Sequence, residues 1–430
     1  MEVPKMNFTQ NIKISQITEE TLIVGVDIGS TLHYARSFDW RGIETGKVYK
    51  FANSRDGFEM FSNWIKKQQE KTGKRAVLVG AEPTGHYWFS LGNYLEELGI
   101  PLVMVNPYHV NRSKELDDNS QTKSDMKDPK VIAKLVIAGR YSQPYIPKGV
   151  YAELRILTAN RHRITQELIN CKNRISRWFS IYFPEYEQAF GDYEAKSSIM
   201  ILKVACTPED IRKLGVEGIN KVWREAKLRA VGEKRAKILI AAAETSVGQK
   251  EGLTAAKLEL RLHLQDYESK KAQYDEIMEQ LAVLCEEIPE SKQMLVIKGI
   301  GLITVAGFLS EVGEIRRFDS PKQIQKLAGL SLRENSSGKH KGRTTISKRG
   351  RARLRGILFN AVIPLVAKNE EFRKIHEYYT TRQKNPLKKK QSIIAIGCKL
   401  IRIFYAILTK GIIFDSQKMM SDIRREAVAA

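Results

Sequence analysis

Leu22–Val26 is an uninterrupted apolar run, the pattern of a strand buried on both faces. Strand-like stretches follow at His33–Trp40 and Lys47–Ala52, then a helical pattern at Gly57–Gln69. A second buried strand at Ala76–Ala81, a helix at Tyr87–Leu98 and a third apolar strand at Pro101–Val105 complete the series. This alternation predicts an α/β domain with a mixed sheet over residues 20–150. Beyond 150 the strand signals stop. Tyr151–Phe183 reads as a helix ended by Pro184, and Leu260, Leu264, Tyr267, Lys271, Tyr274, Met278, Leu281, Cys285 and Ile288 follow a heptad a/d seam broken only by the charge of Lys271. A long helical or coiled-coil spacer over 151–290 is predicted, although a helical bundle packed on itself satisfies the same pattern.

From Met294 a mainly α-helical C-terminal domain is expected, spanning 291–415. Its opening turn, Lys298-Gly-Ile-Gly301, lies between the apolar stretches Met294–Ile297 and Leu302–Leu309 and resembles a helix-hairpin-helix. Ser392–Phe414 is apolar but interrupted by Lys399, Arg402 and Lys410. Ile393, Ile396, Leu400, Ile403 and Ile407 recur at helical spacing, which predicts a core-facing helix and no membrane span.

Charge changes the picture more than composition does. A hydrophobic fraction of 42% over 430 residues allows two or three ordinary domains, but a net charge of +22 asks for a polyanionic partner. From Ser331 to the end there are 23 lysines and arginines against 7 acidic residues, a surplus of +16. That asymmetry points to nucleic acid. The cysteines, Cys171, Cys206, Cys285 and Cys398, have no zinc spacing, and MEVPKMNFTQ lacks an apolar signal core, so a reduced, cytoplasmic protein is expected.

The candidate chemistry begins with four acids. Asp27 ends the first buried strand in Val24-Gly-Val-Asp-Ile-Gly-Ser30, and Glu82 follows another in Val79-Gly-Ala-Glu-Pro-Thr-Gly-His86. Asp125 and Asp128 lie in Lys123-Ser-Asp-Met-Lys-Asp-Pro-Lys130. Carboxylates at strand ends are costly unless exposed, paired or metal-bound. Four converging ones make an oxygen-rich site suited to Mg²⁺ or Mn²⁺, and two such ions bind both the attacking and leaving oxygens of a phosphodiester displacement. Structural readings stand beside this: a turn residue for Asp27, a helix cap for Glu82, and an N-cap followed by proline at N1 for Asp128-Pro129. In the C-terminal part, Lys298, Gly299 and Gly301 are candidates for backbone and side-chain contact to a phosphate. So are Lys339, Lys341, Arg343, Lys348, Arg349, Arg351, Arg353 and Arg355, which surround and follow the loop Asn335-Ser-Ser-Gly-Lys-His-Lys-Gly342.

The order Asp27, Glu82, Asp125, Asp128, with flanks of the form G-x-D-x-G-S, E-x-T-G-x-Y and K-S-D-x-x-D, resembles the DEDD transposases. These are the RuvC-like enzymes of bridge-RNA-guided insertion sequences, related to Piv-type DNA invertases. Gly299-Ile-Gly301, Phe318, Leu327-Ala-Gly-Leu330, the serine loop, Ile346-Ser-Lys-Arg-Gly350 and Leu354-Arg355 resemble the C-terminal domain of the same family, so the likeness runs from about 20 to 415. Pro129 departs from it, standing where a helix-favouring residue is expected. The resemblance implies an RNase H-like N-terminal fold whose four carboxylates hold divalent metal, and a serine nucleophile in the loop. Ser337, directly before glycine, matches best, with Ser336 as the alternative. It also implies DNA substrates and a structured guide RNA. Synapsis of two DNA ends leads us to expect a homodimer or homotetramer. His340 is a neighbour that reads as a bystander more readily than as a general base. Two other classes compete. Val24–Thr31 also resembles the first phosphate loop of actin-like sugar kinases and ATPases, but a second such loop is missing from the sequence. A non-catalytic nucleic-acid-binding protein accounts for the charge, though not for the intact acids.

Overall fold

The computed structural model describes residues 10–83, 85–118, 127–333, 336–337, 340–342 and 344–420, with the backbone alone at 114–118, 336–337 and 340–341. Two compact units emerge. The first is Met1–Lys148 together with Ile315–Ser320, and the second is Gly149–Glu314 together with Pro321–Ala430.

The first unit opens with a short helix α1 (Gln10–Ser15), then β1 (Thr21–Asp27), β2 (Leu32–Phe38), β3 (Tyr49–Ala52), α2 (Arg55–Thr72), β4 (Ala76–Ala81), α3 (Trp88–Glu97), β5 (Leu102–Val105), α4 (Pro107–Asp118), α5 (Asp128–Ile137) and β6 (Tyr141–Ser142). Among the described residues these strands form one mixed sheet in the order β3-β2-β1-β4-β5-β6. β2 is antiparallel to both of its neighbours, β1 and β3, whereas β1, β4 and β5 run parallel. The helical links α2 and α3 supply the crossovers that parallel pairing needs.

Side chains alternate across a strand with period two, and the two faces bury separate cores. Leu22, Val24, Val26, Val79, Ala81 and Met104 pack with Phe58, Phe61 and Ile65 of α2 and Trp88, Leu91 and Leu95 of α3. Ile23, Phe38, Val103 and Val105 pack on the opposite face with Val110 of α4 and Val131, Ile132 and Val136 of α5. Burial on both sides is why β1 and β4 read as unbroken apolar runs. β2 stops two residues short of the expected Trp40. Asp39 Oδ1 accepts the N–H groups of Arg41 and Ile43, both at 2.9 Å, and turns the chain. Burial opposes the Asp39 charge, but those N–H groups and the Arg41 guanidinium hold its carboxyl below the usual range.

In the second unit α6 (Val150–Tyr182) is followed by the short helices α7 (Tyr186–Phe190), α8 (Lys196–Val204), α9 (Pro208–Glu225) and α10 (Glu233–Glu244), then by α11 (Leu253–Glu286). α6 and α11 run antiparallel: Trp178 Nε1 donates to the Ala256 carbonyl at 2.8 Å, and Lys270 pairs with Glu167 at 2.8 Å. Leu260, Leu264 and Tyr267 of the heptad seam are buried in the core that α6 and α7–α10 share, while Lys271 is exposed. The rest comprises α12 (Pro289–Leu295), α13 (Leu302–Val312), α14 (Pro321–Leu327), the two-residue strands β7 (Leu332–Arg333), β8 (Ser336–Ser337), β9 (His340–Lys341) and β10 (Thr345–Ile346), then α15 (Ala352–Lys368), α16 (Glu370–Thr381) and α17 (Lys389–Lys410). By length and composition α17 could cross a membrane. Ile396, Leu400, Ile401, Phe404 and Ile407 are nevertheless buried, with Phe404 edge-on to Phe308 of α13 at 5.0 Å. The core-facing helix expected there is what the structure contains.

Candidate functional site

The first candidate site is built by two glycines. Gly25 of β1 and Gly80 of β4 are register partners in the parallel pair, and the next registered positions end at Val26 opposite Ala81. Asp27 and Glu82 follow immediately, each two residues beyond its glycine, so period two puts both carboxylates on the face that the glycines occupy. That face carries α5. A Cβ at Gly25 would lie 1.9 Å from the Pro129 carbonyl oxygen, and one at Gly80 would lie 2.4 Å from Val136 Cγ2. The missing side chains let α5 press its first turn onto β1 beside Asp27. Asp27, Glu82 and Asp128 are all half-buried.

The helix start differs in detail from the expectation. Lys127 is the N-cap residue (φ −85°, ψ −35°), and its carbonyl accepts the N–H groups of Lys130 and Val131. Asp128 is therefore the first residue inside α5 and not its cap, and Pro129 takes the second position. Proline is tolerated there because the first N–H groups of a helix have no intrahelical partner. An acid in the first turn is favoured by the helix dipole. Asp125 lies outside the described residues. Among the described residues no three His, Cys, Asp or Glu side chains are gathered closely enough to hold an ion. In kind the donors fit one: they are carboxylates only, the hard oxygen set that suits Mg²⁺ or Mn²⁺.

The ladder extends the site where the sequence signalled nothing. Tyr34 of β2 is the register partner of Asp27, and Lys50 of β3 is the partner of Tyr34. The Lys50 ammonium stands 5.2 Å from the centre of the Tyr34 ring. One level of the sheet thus runs lysine, tyrosine, aspartate and then, one step past β4, glutamate. Behind it, the Gly29 N–H donates to Nδ1 of the buried His33 at 3.2 Å, steadying the loop after Asp27.

In the second unit the expected nucleic-acid residues divide. Gly299 has φ +100°, and a Cβ there would lie 2.8 Å from the Leu365 Cα, so this glycine is needed to seat the turn on α15. Gly301 has open space around it, and Lys298 is exposed. Ser336 and Ser337 form β8, paired with β9 so that Ser337 stands opposite His340 in register. Lys339 and Arg343 lie outside the described residues, and of Lys341 the backbone alone is described. The basic run after the loop is pinned by its backbone. The N–H groups of Lys348 and Arg351 donate to the carbonyls of Gly329 and Leu327. This leaves Lys348 and Arg349 exposed and turns the next arginines inward. Arg351 approaches the Glu311 carboxylate at 3.4 Å, Arg353 at 3.8 Å, and Arg355 donates to the Ala328 carbonyl at 3.0 Å.

Comparison with known proteins bears on both units. A family model of transposases, DEDD_Tnp_IS110, matches residues 24–184. A second, described as transposase of the IS116/IS110/IS902 family, matches residues 291–377. Together they span more than half of the chain. An uncharacterized 44.8 kDa protein of insertion element IS116 from Streptomyces clavuligerus is 24% identical over 388 residues, 86% of this chain and 94% of that protein. A pilin gene-inverting protein of Moraxella bovis is 36% identical over 124 residues, 28% of this chain and 37% of its own. The transposase for insertion sequence element IS1111A of Coxiella burnetii is 26% identical over 134 residues, 31% of this chain and 36% of its own. The kinase-like reading of Val24–Thr31 falls away, because the strand and acid that carry it lie inside the first match. With its acid-bearing sheet and its serine loop each inside a transposase match, the chain belongs to the IS110/IS116 family of transposases.

Proposed function

We propose that this chain cleaves and rejoins DNA strands with the help of a divalent metal and a serine nucleophile. Asp27, Glu82, Asp125 and Asp128 are the metal ligands, and Ser337, or Ser336 in its place, is the nucleophile. The observation that carries the reading is the registered pair Gly25 and Gly80, with Asp27 and Glu82 two residues beyond and the first turn of α5 pressed onto β1. Three antiparallel strands followed by two parallel ones with helical crossovers support an RNase H-like, RuvC-like fold for the first unit.

When bound, Mg²⁺ or Mn²⁺ would polarise the scissile phosphate and offset the charge on the entering and leaving oxygens. The carboxylates would fix its position. The Ser337 hydroxyl gives up its proton and bonds to phosphorus, and the sugar oxygen leaves as an alcohol after taking a proton. The serine proton passes to solvent water. The phosphoserine diester so formed keeps the bond energy. A sugar hydroxyl then attacks it, re-forms the phosphodiester and frees the serine without ATP. Exposed Lys348 and Arg349, with Lys298, Gly301, Lys339, Lys341 and Arg343, meet the phosphates. Because recombination joins two DNA ends, the working form is a homodimer or homotetramer. The basic surplus also suits a structured guide RNA, which sequencing of co-purifying nucleic acid would identify.

A nicked suicide substrate tests the chemistry. The wild type should form a covalent adduct that maps to Ser337 or Ser336 and requires Mg²⁺ or Mn²⁺. Asp27→Asn should abolish the adduct without altering thermal melting. Full strand exchange in excess chelator, or by a Ser336→Ala/Ser337→Ala variant, refutes the proposal.

A further inference from the structure

Glu311 of α13 is buried, at 7% exposure. A buried carboxylate needs a cation, and it has two. Arg351 reaches its carboxylate at 3.4 Å and also donates to its backbone carbonyl, while Arg353 stands at 3.8 Å. Arg353 also donates to the carbonyl of Thr158 on α6. Residues three apart on a helix share a face, so Arg155 and Arg161 flank Thr158 one turn to either side. Both are half-buried, and among the described residues neither side chain makes an ion pair or hydrogen bond. Arg351 and Arg353 thus hold the acid, and Arg155 and Arg161 stand beside Arg353. Burial pushes the Arg353 guanidinium below its ordinary pKa. Glu311 works against that shift, and Arg161 and Arg155 add to it. Arg155 and Arg161 lie close enough to repel the Arg353 guanidinium, and among the described residues neither has a carboxylate partner of its own.

We propose that Arg155, Arg161 and Arg353 form a phosphate-binding row that grips the backbone of a nucleic-acid strand without reading its bases. Guanidinium matches phosphate oxygens bidentately. Six residues of α6 separate Arg155 from Arg161, about 9 Å along the helix axis. Two to three phosphate-to-phosphate steps, at about 3.4 Å of axial rise each, span that length. An extended row suits a strand better than a single small anion, and base-independent grip follows because phosphate contacts hold no sequence information. The proposal rests on the reading of the chain as a nucleic-acid enzyme but is independent of the carboxylate site.

The test is fluorescence anisotropy of the full chain with labelled single- and double-stranded oligonucleotides of two unrelated sequences, across a salt series. An Arg155→Gln/Arg161→Gln variant should bind both sequences about 10-fold or more weakly. Its slope of log affinity against log salt should be shallower by about 1 to 2, one phosphate contact per arginine. Arg155→Lys/Arg161→Lys, which keeps the charge, should retain most of the slope. An unchanged slope overturns the proposal whether or not melting is lowered, since lowered melting alone marks a packing role. A loss confined to one sequence also overturns it, in favour of base readout. Asp27→Asn should lose cleavage and keep the wild-type slope, so failure of the arginine row and failure of the carboxylate site are read separately.

Discussion

Replacing Gly25 with alanine perturbs the candidate site at its narrowest point. The new methyl would lie 1.9 Å from the Pro129 carbonyl oxygen, 2.8 Å from its carbonyl carbon and 3.0 Å from the Ala133 nitrogen, all backbone atoms. Contacts under 3.0 Å essentially never occur for a Cβ, so the first turn of α5 must retreat from β1 by at least 1.1 Å, the difference between 3.0 and 1.9. Overpacking of this kind costs about 1–3 kcal/mol. The functional loss should be larger in proportion, because Asp128, a proposed metal ligand, moves with the turn, and a displacement of about 1 Å in such a group costs about 100-fold in rate. Gly80→Ala is the internal comparison. Its nearest obstacle is Val136 Cγ2 at 2.4 Å, a side chain, so a second change, Val136→Ala, should relieve it. Thermal melting and metal-dependent cleavage of a nicked duplex would be measured on the three single variants and on both double variants with Val136→Ala. Gly25→Ala should lose about 100-fold in cleavage and stay impaired in the double variant, while Gly80→Ala should recover. Wild-type melting and cleavage by Gly25→Ala, or its rescue by Val136→Ala, would refute the account of how α5 reaches the carboxylates.

The imidazole of His33 is held below its ordinary pKa of 6.5, mainly by burial, with the Asn53 side chain opposing the shift. The unfolded chain then binds the proton more readily, so stability is complete above about pH 6.5 and declines as pH falls through that value. His33→Phe should flatten the fall in melting temperature between pH 7 and pH 5, and an unaltered pH profile would count against it. Arg351→Ala should lower stability by about 1–3 kcal/mol, less than a fully buried pair because the arginine is partly exposed. Calorimetry checks this, and unchanged melting would show that Glu311 does not depend on Arg351. Lys348→Gln/Arg349→Gln should leave melting unchanged and weaken DNA binding at low salt. Equal affinity across a salt series would remove these two from the interface.

Much of the first unit was legible because a strand buried on both faces leaves an apolar run that few other structures produce. Leu22–Val26 and Ala76–Ala81 became β1 and β4 almost residue for residue, and Tyr151–Phe183 became α6. The acids at the ends of β1 and β4 were visible for the same reason: a charge closing an apolar run is conspicuous. Register was not legible. Only pairing shows that Gly25 faces Gly80 and that Tyr34 and Lys50 extend the row from Asp27, because hydrogen bonds between strands have no local sequence signal. The N-terminus of α5 shifted by one residue for a related reason. Asp128-Pro129 has the composition of a cap, but the turn already closes at the Lys127 carbonyl. The basic run Ser347–Arg355 shows the limit most plainly. In sequence its arginines are equivalent positive charges. Folding pins the backbone to the turn at 327–331, leaves Lys348 and Arg349 in solvent and delivers Arg351 and Arg353 to a buried glutamate 40 or more residues away. Sequence by itself determined how many charges there are and which segments must be buried, since those follow from composition and period. The tertiary structure alone decided which charges meet one another and which remain for a ligand, because that depends on contacts between elements distant in the chain.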